Sequence, residues 1–96
     1  MPHIIVVYDV SSNKTRLQLA QRLERMGLRR IQRSAFIGRL PQPRVKDLER
    51  LIQMTINPET DVAHVFKLDT IDWSKTTVIG TPRWAAGAPS NTVITA

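Results

Sequence analysis

The run Ile4-Ile5-Val6-Val7, closed by Tyr8-Asp9, constrains this chain more than any other segment. Four β-branched residues in succession disfavour a helix and suit a strand, and unbroken apolar character asks for burial on both faces. Such a strand is central in its sheet, so the other elements must be arranged around it. Asp9 stands directly after it, at the sheet's edge where side chains converge on a loop.

Downstream, Ser11-Ser12-Asn13 offers a turn with ready helix caps. Lys14 to Met26 has helical periodicity, with Leu17, Ala20 and Leu23 on one stripe widened by Leu19 and Met26. Lys14, Gln18, Gln21, Arg22 and Arg25 occupy the opposite side. Gly27 fits the left-handed position that ends a helix, with Leu28 folding back onto the last turn. Ile31 to Ile37 predicts a second strand, with Ile31, Ala35 and Ile37 on one face and Gln32, Ser34 and Phe36 on the other. After Gly38, the Pro41-Gln42-Pro43 break starts a second helix on Val45, Leu48, Leu51, Ile52 and Thr55, which Asn57-Pro58 ends. Val62 to Leu68 predicts a third strand and Thr76 to Gly80 a short fourth. Asn91 to Ala96 predicts either a fifth strand or a flexible tail.

Hairpin pairing and helix start compete just after the second strand, and the resulting order is β-α-β-β-α-β. The fold class is therefore α+β, a ferredoxin-like two-layer sandwich. Two helices cover one face of a four-stranded antiparallel sheet, followed by a short C-terminal fifth strand. Residues 1–81 form this domain and 82–96 a C-terminal extension. The second face of the sheet is left open. Phe36 and part of the third strand are expected to point there and to be covered by a second copy, giving a homodimer.

A chain of 96 residues has room for one such core. It has no cysteine, which removes disulfides, thiolate zinc sites and a cysteine nucleophile. No apolar run approaches the roughly 18–20 residues of a membrane span, and the N-terminus lacks the basic leader of a signal peptide. A cytoplasmic location is expected. Charge is more informative: 14 Lys and Arg against 8 Asp and Glu give +6. From Lys14 to Arg50 there are 11 basic and 3 acidic residues, whereas the rest of the chain has 3 basic and 5 acidic. So lopsided a positive surface favours a polyanion such as nucleic acid.

No Gly-rich phosphate loop, nucleophile elbow or clustered metal motif is present. His3 and His64 are isolated, and His64, inside the third strand, reads as a hydrogen-bonded structural histidine. Trp73 and Trp84 flank the fourth strand and read as packing residues. Asp9 has two readings. It is a turn or helix-capping aspartate, or it is a ligand. One carboxylate alone does not hold Mg²⁺, which takes six oxygen ligands. Two Asp9 side chains across a two-fold axis would share one hydrated ion, and a phosphodiester-cleaving site becomes possible.

Tyr8-Asp9 at the strand's end, Arg16, Gly27 and Gln32-Arg33-Ser34-Ala35-Phe36 together resemble the signature of the CRISPR-associated Cas2 family. Thr60-Asp61-Val62-Ala63-His64-Val65-Phe66 is similar to that family's third strand, and the resemblance covers about residues 3–80. It implies a ferredoxin-like homodimer that works with the Cas1 integrase in spacer capture, as a DNA-bridging scaffold. It also implies Mg²⁺-dependent endonuclease activity on RNA or double-stranded DNA, with Asp9 as metal ligand and catalytic residue. Arg16 would contact the scissile phosphate or hold Asp9. Arg22, Arg25, Arg29, Arg30 and Arg33 are candidates for phosphate-backbone contacts. Val93 and Ile94 would lie on a strand that crosses to the partner, joining Phe36 at the dimer interface. Ala35 and Ile37 depart from the family's usual residues. Three other readings compete: a non-catalytic scaffold, a ribonuclease toxin of similar fold, and a ligand-sensing regulatory domain, which the positive charge disfavours.

Overall fold

The computed structural model describes residues 1–84 and the backbone of Asn91–Val93. Its sheet is built on β1 (His3–Asp9), paired antiparallel on one edge with β3 (Ala35–Arg39) and on the other with β4 (Val62–Leu68). β2 (Arg29–Gln32) adds to β3, giving the order β2-β3-β1-β4. Helices α1 (Asn13–Arg25) and α2 (Gln42–Thr55) lie on one face and bury Leu19, Ala20, Leu23, Val45, Leu48 and Ile52 against it. This is the ferredoxin-like α+β sandwich.

The single strand expected from Ile31 to Ile37 is instead a hairpin. The chain turns at Arg33-Ser34, and the Ser34 carbonyl accepts a hydrogen bond from the Tyr8 N–H at 3.0 Å. Two polar residues in succession break the run, and a bulge between Arg30 and Gln32 absorbs the odd residue. The hairpin supplies the strand needed to complete the sheet. The expected fourth strand is thereby displaced: β5 (Thr77–Ile79) lies outside the main sheet and pairs in parallel with β6 (Asn91–Val93).

Strand parity decides which residues meet the helices. Val6 pairs with Phe36 and Val65, so Phe36 joins Ile4, Val6 and Tyr8 on the helix-covered face, where it is fully buried. Phe36 is therefore a core residue of this chain and has no exposed surface to offer a partner. The earlier assignment to the far face fails because the turn and the bulge reset the alternation. Val93 ends β6, which pairs with β5 of the same chain, and Ile94 lies outside the described residues.

α1 ends as its sequence requires, with Gly27 at φ +96° and the Leu28 N–H donating to the Leu23 carbonyl at 3.1 Å. Its buried stripe keeps Leu19, Ala20 and Leu23 as expected, with Met26 partly buried against the core, and departs from expectation at Leu17. Leu17 is 60% exposed, and Arg16 takes the inward position one turn before Leu19 and Ala20.

The far face carries His3, Ile5, Val7, Asp9, Ala35 and Ile37, with Val62, His64 and Phe66 of β4. Part of it is covered by the chain itself. Short helix α3 (Thr70–Ser74), capped by Asp69, presents Trp73, which stacks on His3 with centroids 4.6 Å apart and planes 10° from parallel. Residues 73–84 share a cleft with Ile37, which is only 2% exposed. The β1–β4 half remains open, with Val7 39%, Val62 47% and Phe66 47% exposed.

Two outcomes follow from this packing. Phe36→Ala removes a fully buried ring and should cost about 3–5 kcal/mol of folding stability in urea unfolding. Burial, with help from Arg39 and the N-terminus, holds the His3 imidazole below its ordinary value. The unfolded chain then binds more protons than the folded one, so stability is full above about pH 6.5 and declines as pH falls towards the folded value. His3→Phe keeps the stack on Trp73 and should flatten that decline in urea midpoints between about pH 7 and 5.

Candidate active site at the end of β1

Asp9 is the last residue of β1 and sits opposite Val62, on the open face with Val7 and Phe66. It is exposed, while its neighbours Tyr8 and Val10 are buried at 5% and 1% exposure. The carboxylate is thus carried between two residues anchored in the core, which fixes the backbone from which it projects.

The loop that follows is held from two sides. Arg16 Nη1 donates to the Val10 carbonyl at 3.1 Å, so this arginine braces the residue after Asp9 and forms no ion pair with Asp9. Asp61, in the α2–β4 loop, accepts at Oδ1 from both the N–H and the hydroxyl of Ser11, each at 3.1 Å. The same oxygen accepts from the Thr60 hydroxyl at 3.1 Å, and Oδ2 accepts from the Asn57 N–H at 2.9 Å. The Asn57 and Ser11 amides, with the two hydroxyls, hold the Asp61 carboxyl below the ordinary carboxylate range. Its contribution to folding is complete above the unfolded value of about 3.9 and is lost as pH falls through the lower folded one.

The basic residues proposed for phosphate contacts are not brought together. Arg22 donates to the Thr55 hydroxyl at 2.7 Å, and with Arg25 and Arg50 it rims a groove between α1 and α2. Arg30 lies over the rings of Phe36, at 5.2 Å, and Trp84, at 5.9 Å, so Trp84 packs a cation. Arg29 and Arg39 stand at the His3 end of the sheet, whereas the exposed Arg33 sits at the hairpin turn, at the Asp9 end.

Two residues at the site escaped sequence reasoning. Asp61 stands in the sequence only as part of the segment similar to the family's third strand, and nothing there marks it as the acceptor for Ser11. His64, expected as a hydrogen-bonded structural residue, is exposed on the open face. It pairs with Val7, one strand step pair from Asp9, and stacks on Phe66 at 6.1 Å. No group of three or more His, Cys, Asp or Glu side chains forms a metal cage among the described residues. A cation at Asp9 would need oxygen ligands from a second chain or from nucleic acid. The exposed, unpaired carboxylate suits that arrangement. No described helix is long and apolar enough to cross a membrane.

Comparison with known proteins agrees with this architecture. The family model described as CRISPR associated protein Cas2 matches residues 1–76. A CRISPR-associated endoribonuclease Cas2 of Pyrobaculum aerophilum is 40% identical over 68 residues, covering 70% of this chain and 74% of that protein. Another, from Korarchaeum cryptofilum, is 31% identical over 86 residues, covering 90% and 92%. A Cas1/Cas2 endonuclease fusion of Thermoproteus tenax is 48% identical over 75 residues, 75% of this chain, which spans only 28% of the fusion's length. Among solved structures, Streptococcus pyogenes Cas2 superposes with TM-score 0.66 at 22% identity, covering 76% of this chain and 92% of that one. A hypothetical protein of Thermus thermophilus superposes with TM-score 0.73 at 22% identity, covering 84% and 93%. With its family signature matched from the first strand past α3, the chain belongs to the CRISPR-associated Cas2 family.

Proposed function

We propose that the chain is a homodimeric, nucleic-acid-binding endonuclease of CRISPR adaptation, in which paired Asp9 carboxylates hold Mg²⁺ for phosphodiester hydrolysis. The observation that carries this reading is the placement of Asp9 at the rim of the open apolar patch of Val7, Val62 and Phe66. A second copy packed on that patch buries it, and a two-fold axis through the packing faces one Asp9 towards the other. The relatives named endoribonuclease support RNA as a substrate. Double-stranded DNA remains the second.

Asp9 and its counterpart would be the protein ligands. When bound, Mg²⁺ would lower the pKa of a coordinated water and screen the phosphate. The chain's own work is to orient and to bind. Arg16 keeps the Val10 carbonyl in place, so the direction of Asp9 is set before substrate arrives. Arg33, at the same end of the sheet, is placed to neutralise a backbone phosphate. Arg25 and Arg29 would do so elsewhere on the surface.

A second reading, a non-catalytic scaffold that bridges DNA for a Cas1 integrase, is favoured by the Thermoproteus tenax relative, in which the two names share one polypeptide. The two separate experimentally. Asp9→Ala should reduce Mg²⁺-dependent cleavage of RNA and duplex DNA by at least about 100-fold, with EDTA abolishing it in the wild type. Equal cleavage by both proteins removes the catalytic role, and the absence of cleavage with retained DNA binding leaves the scaffold. Phe66→Asp should shift the chain from dimer to monomer in analytical ultracentrifugation without loss of helical signal. Arg33→Ala should weaken DNA binding and lower the slope of log affinity against log salt by about 1.

A further inference from the structure

We propose that Asp61 is a positioning residue for Asp9: its carboxylate clasps the β1–α1 loop to the α2–β4 loop and thereby sets where the Asp9 carboxylate is presented. The inference rests on Asp9 being the ligand and catalytic residue proposed above.

The geometry singles out Asp61 among the chain's acids. Glu49 is engaged in an ion pair with Lys67, and Asp69 caps α3. Asp61 accepts four hydrogen bonds. Two tie its own loop, from Asn57 and Thr60, and two cross to Ser11, fifty positions earlier in the chain. The Asn57 turn is itself closed by the Asp61 N–H to the Asn57 carbonyl at 2.8 Å and the Thr60 N–H to the same oxygen at 3.1 Å. A rigid turn therefore presents the acceptor, and Ser11 docks on it.

Ser11 is two residues beyond Asp9, with Val10 packed in the core between them. Val10 fixes the middle of this three-residue segment, and Arg16 fixes its carbonyl. Without Asp61 the segment keeps its core anchor and loses the end that sets its twist. Such a change leaves the fold intact and rotates the backbone that carries Asp9. Misplacement of a catalytic group by about 1 Å can cost 100-fold in rate, so a remote clasp is enough to matter. Charge-assisted bonds to a carboxylate are also the stronger kind, which suits a clasp made at an exposed loop.

The test uses the full-length protein with Mg²⁺ and a labelled RNA or 30-base-pair duplex, and a second readout independent of turnover. In that readout Mn²⁺ is titrated against ¹⁵N-labelled protein, and broadening of the Tyr8–Ser11 amides reports metal at Asp9. Asp61→Ala should lower kcat by about 10- to 100-fold with KM for the nucleic acid within about twofold, and raise the Mn²⁺ half-saturation by about 10-fold. Asp61→Asn, which keeps one acceptor oxygen for Ser11, should recover most of both effects. Asp9→Ala should abolish both.

If Asp61→Ala matches wild type in kcat per folded molecule and in Mn²⁺ half-saturation, Asp61 is only a loop cap and the inference falls while Asp9 stands. If the wild type and the Asp61 variants bind Mn²⁺ but none cleaves, the half-saturation alone decides, in the same sense; Mn²⁺ binding by Asp9→Ala at the wild-type half-saturation removes Asp9 as ligand and the inference with it. If the wild type neither cleaves nor shows broadening at residues 8–11, the reading of Asp9 falls and the inference with it.

Discussion

Because β1 is hydrogen-bonded along both edges, its side chains have one alternation and no freedom to trade it. Ile4, Val6 and Tyr8 face the helices, and Ile5, Val7 and Asp9 face the other way. A slip of one residue would expose the first three, each worth about 1.5–3 kcal/mol of burial, and would push the Asp9 carboxylate towards the core. The same apolar burial that stabilises the sheet therefore decides which way the acid points. Asp9 is on the open face as a consequence of what Ile4, Val6 and Tyr8 require.

This constraint ends where the strand ends. Beyond Asp9 the backbone has no ladder to hold it, and its geometry passes to Val10 in the core, Arg16 on the Val10 carbonyl and Asp61 on Ser11. Arg16 reaches that carbonyl from a half-buried position on the inward side of α1. An arginine there keeps its stem against the core and its head at the rim. The helix thus gives up some burial at one position and gains a brace for the loop.

Much of this was readable from the sequence, and the reasons are local. The β-branched run of β1, the Gly27 stop and the Pro41-Gln42-Pro43 start each leave a signature within a few residues. What was not readable depends on contacts between distant segments. The hairpin turn at Arg33-Ser34 contains neither Gly nor Pro, so the sequence pattern reads as one continuous strand through it. That one omission inverted the face of Phe36 and made a core ring look like a docking residue. Asp61 and Ser11 are fifty positions apart and carry no motif that links them. His64 alternates correctly in β4, but its exposure depends on where the segment from Trp73 to Trp84 lies, which is over the β2–β3 half of the far face. Periodicity alone does not report that coverage.

The distribution of the arginines bears on what kind of nucleic-acid contact is physically available. On the proposed reading, Arg33 sits beside the reacting end, while Arg29 and Arg39 flank the other end of the hairpin. The four steps from Ala35 to Arg39 along β3 span about 14 Å, or about four base-pair steps of a duplex. On that reading these residues would meet phosphates several steps apart along a strand and could not all crowd one scissile group. Arg22 and Arg30 are already engaged, with Thr55 and with two aromatic rings, so they shape the protein more than they bind. Contacts spread in this way hold a backbone without reading its bases, and they contribute equally to substrate and to transition state. Affinity and turnover should then be separable properties of this chain, the first carried by dispersed exposed arginines and the second by the few residues that direct Asp9.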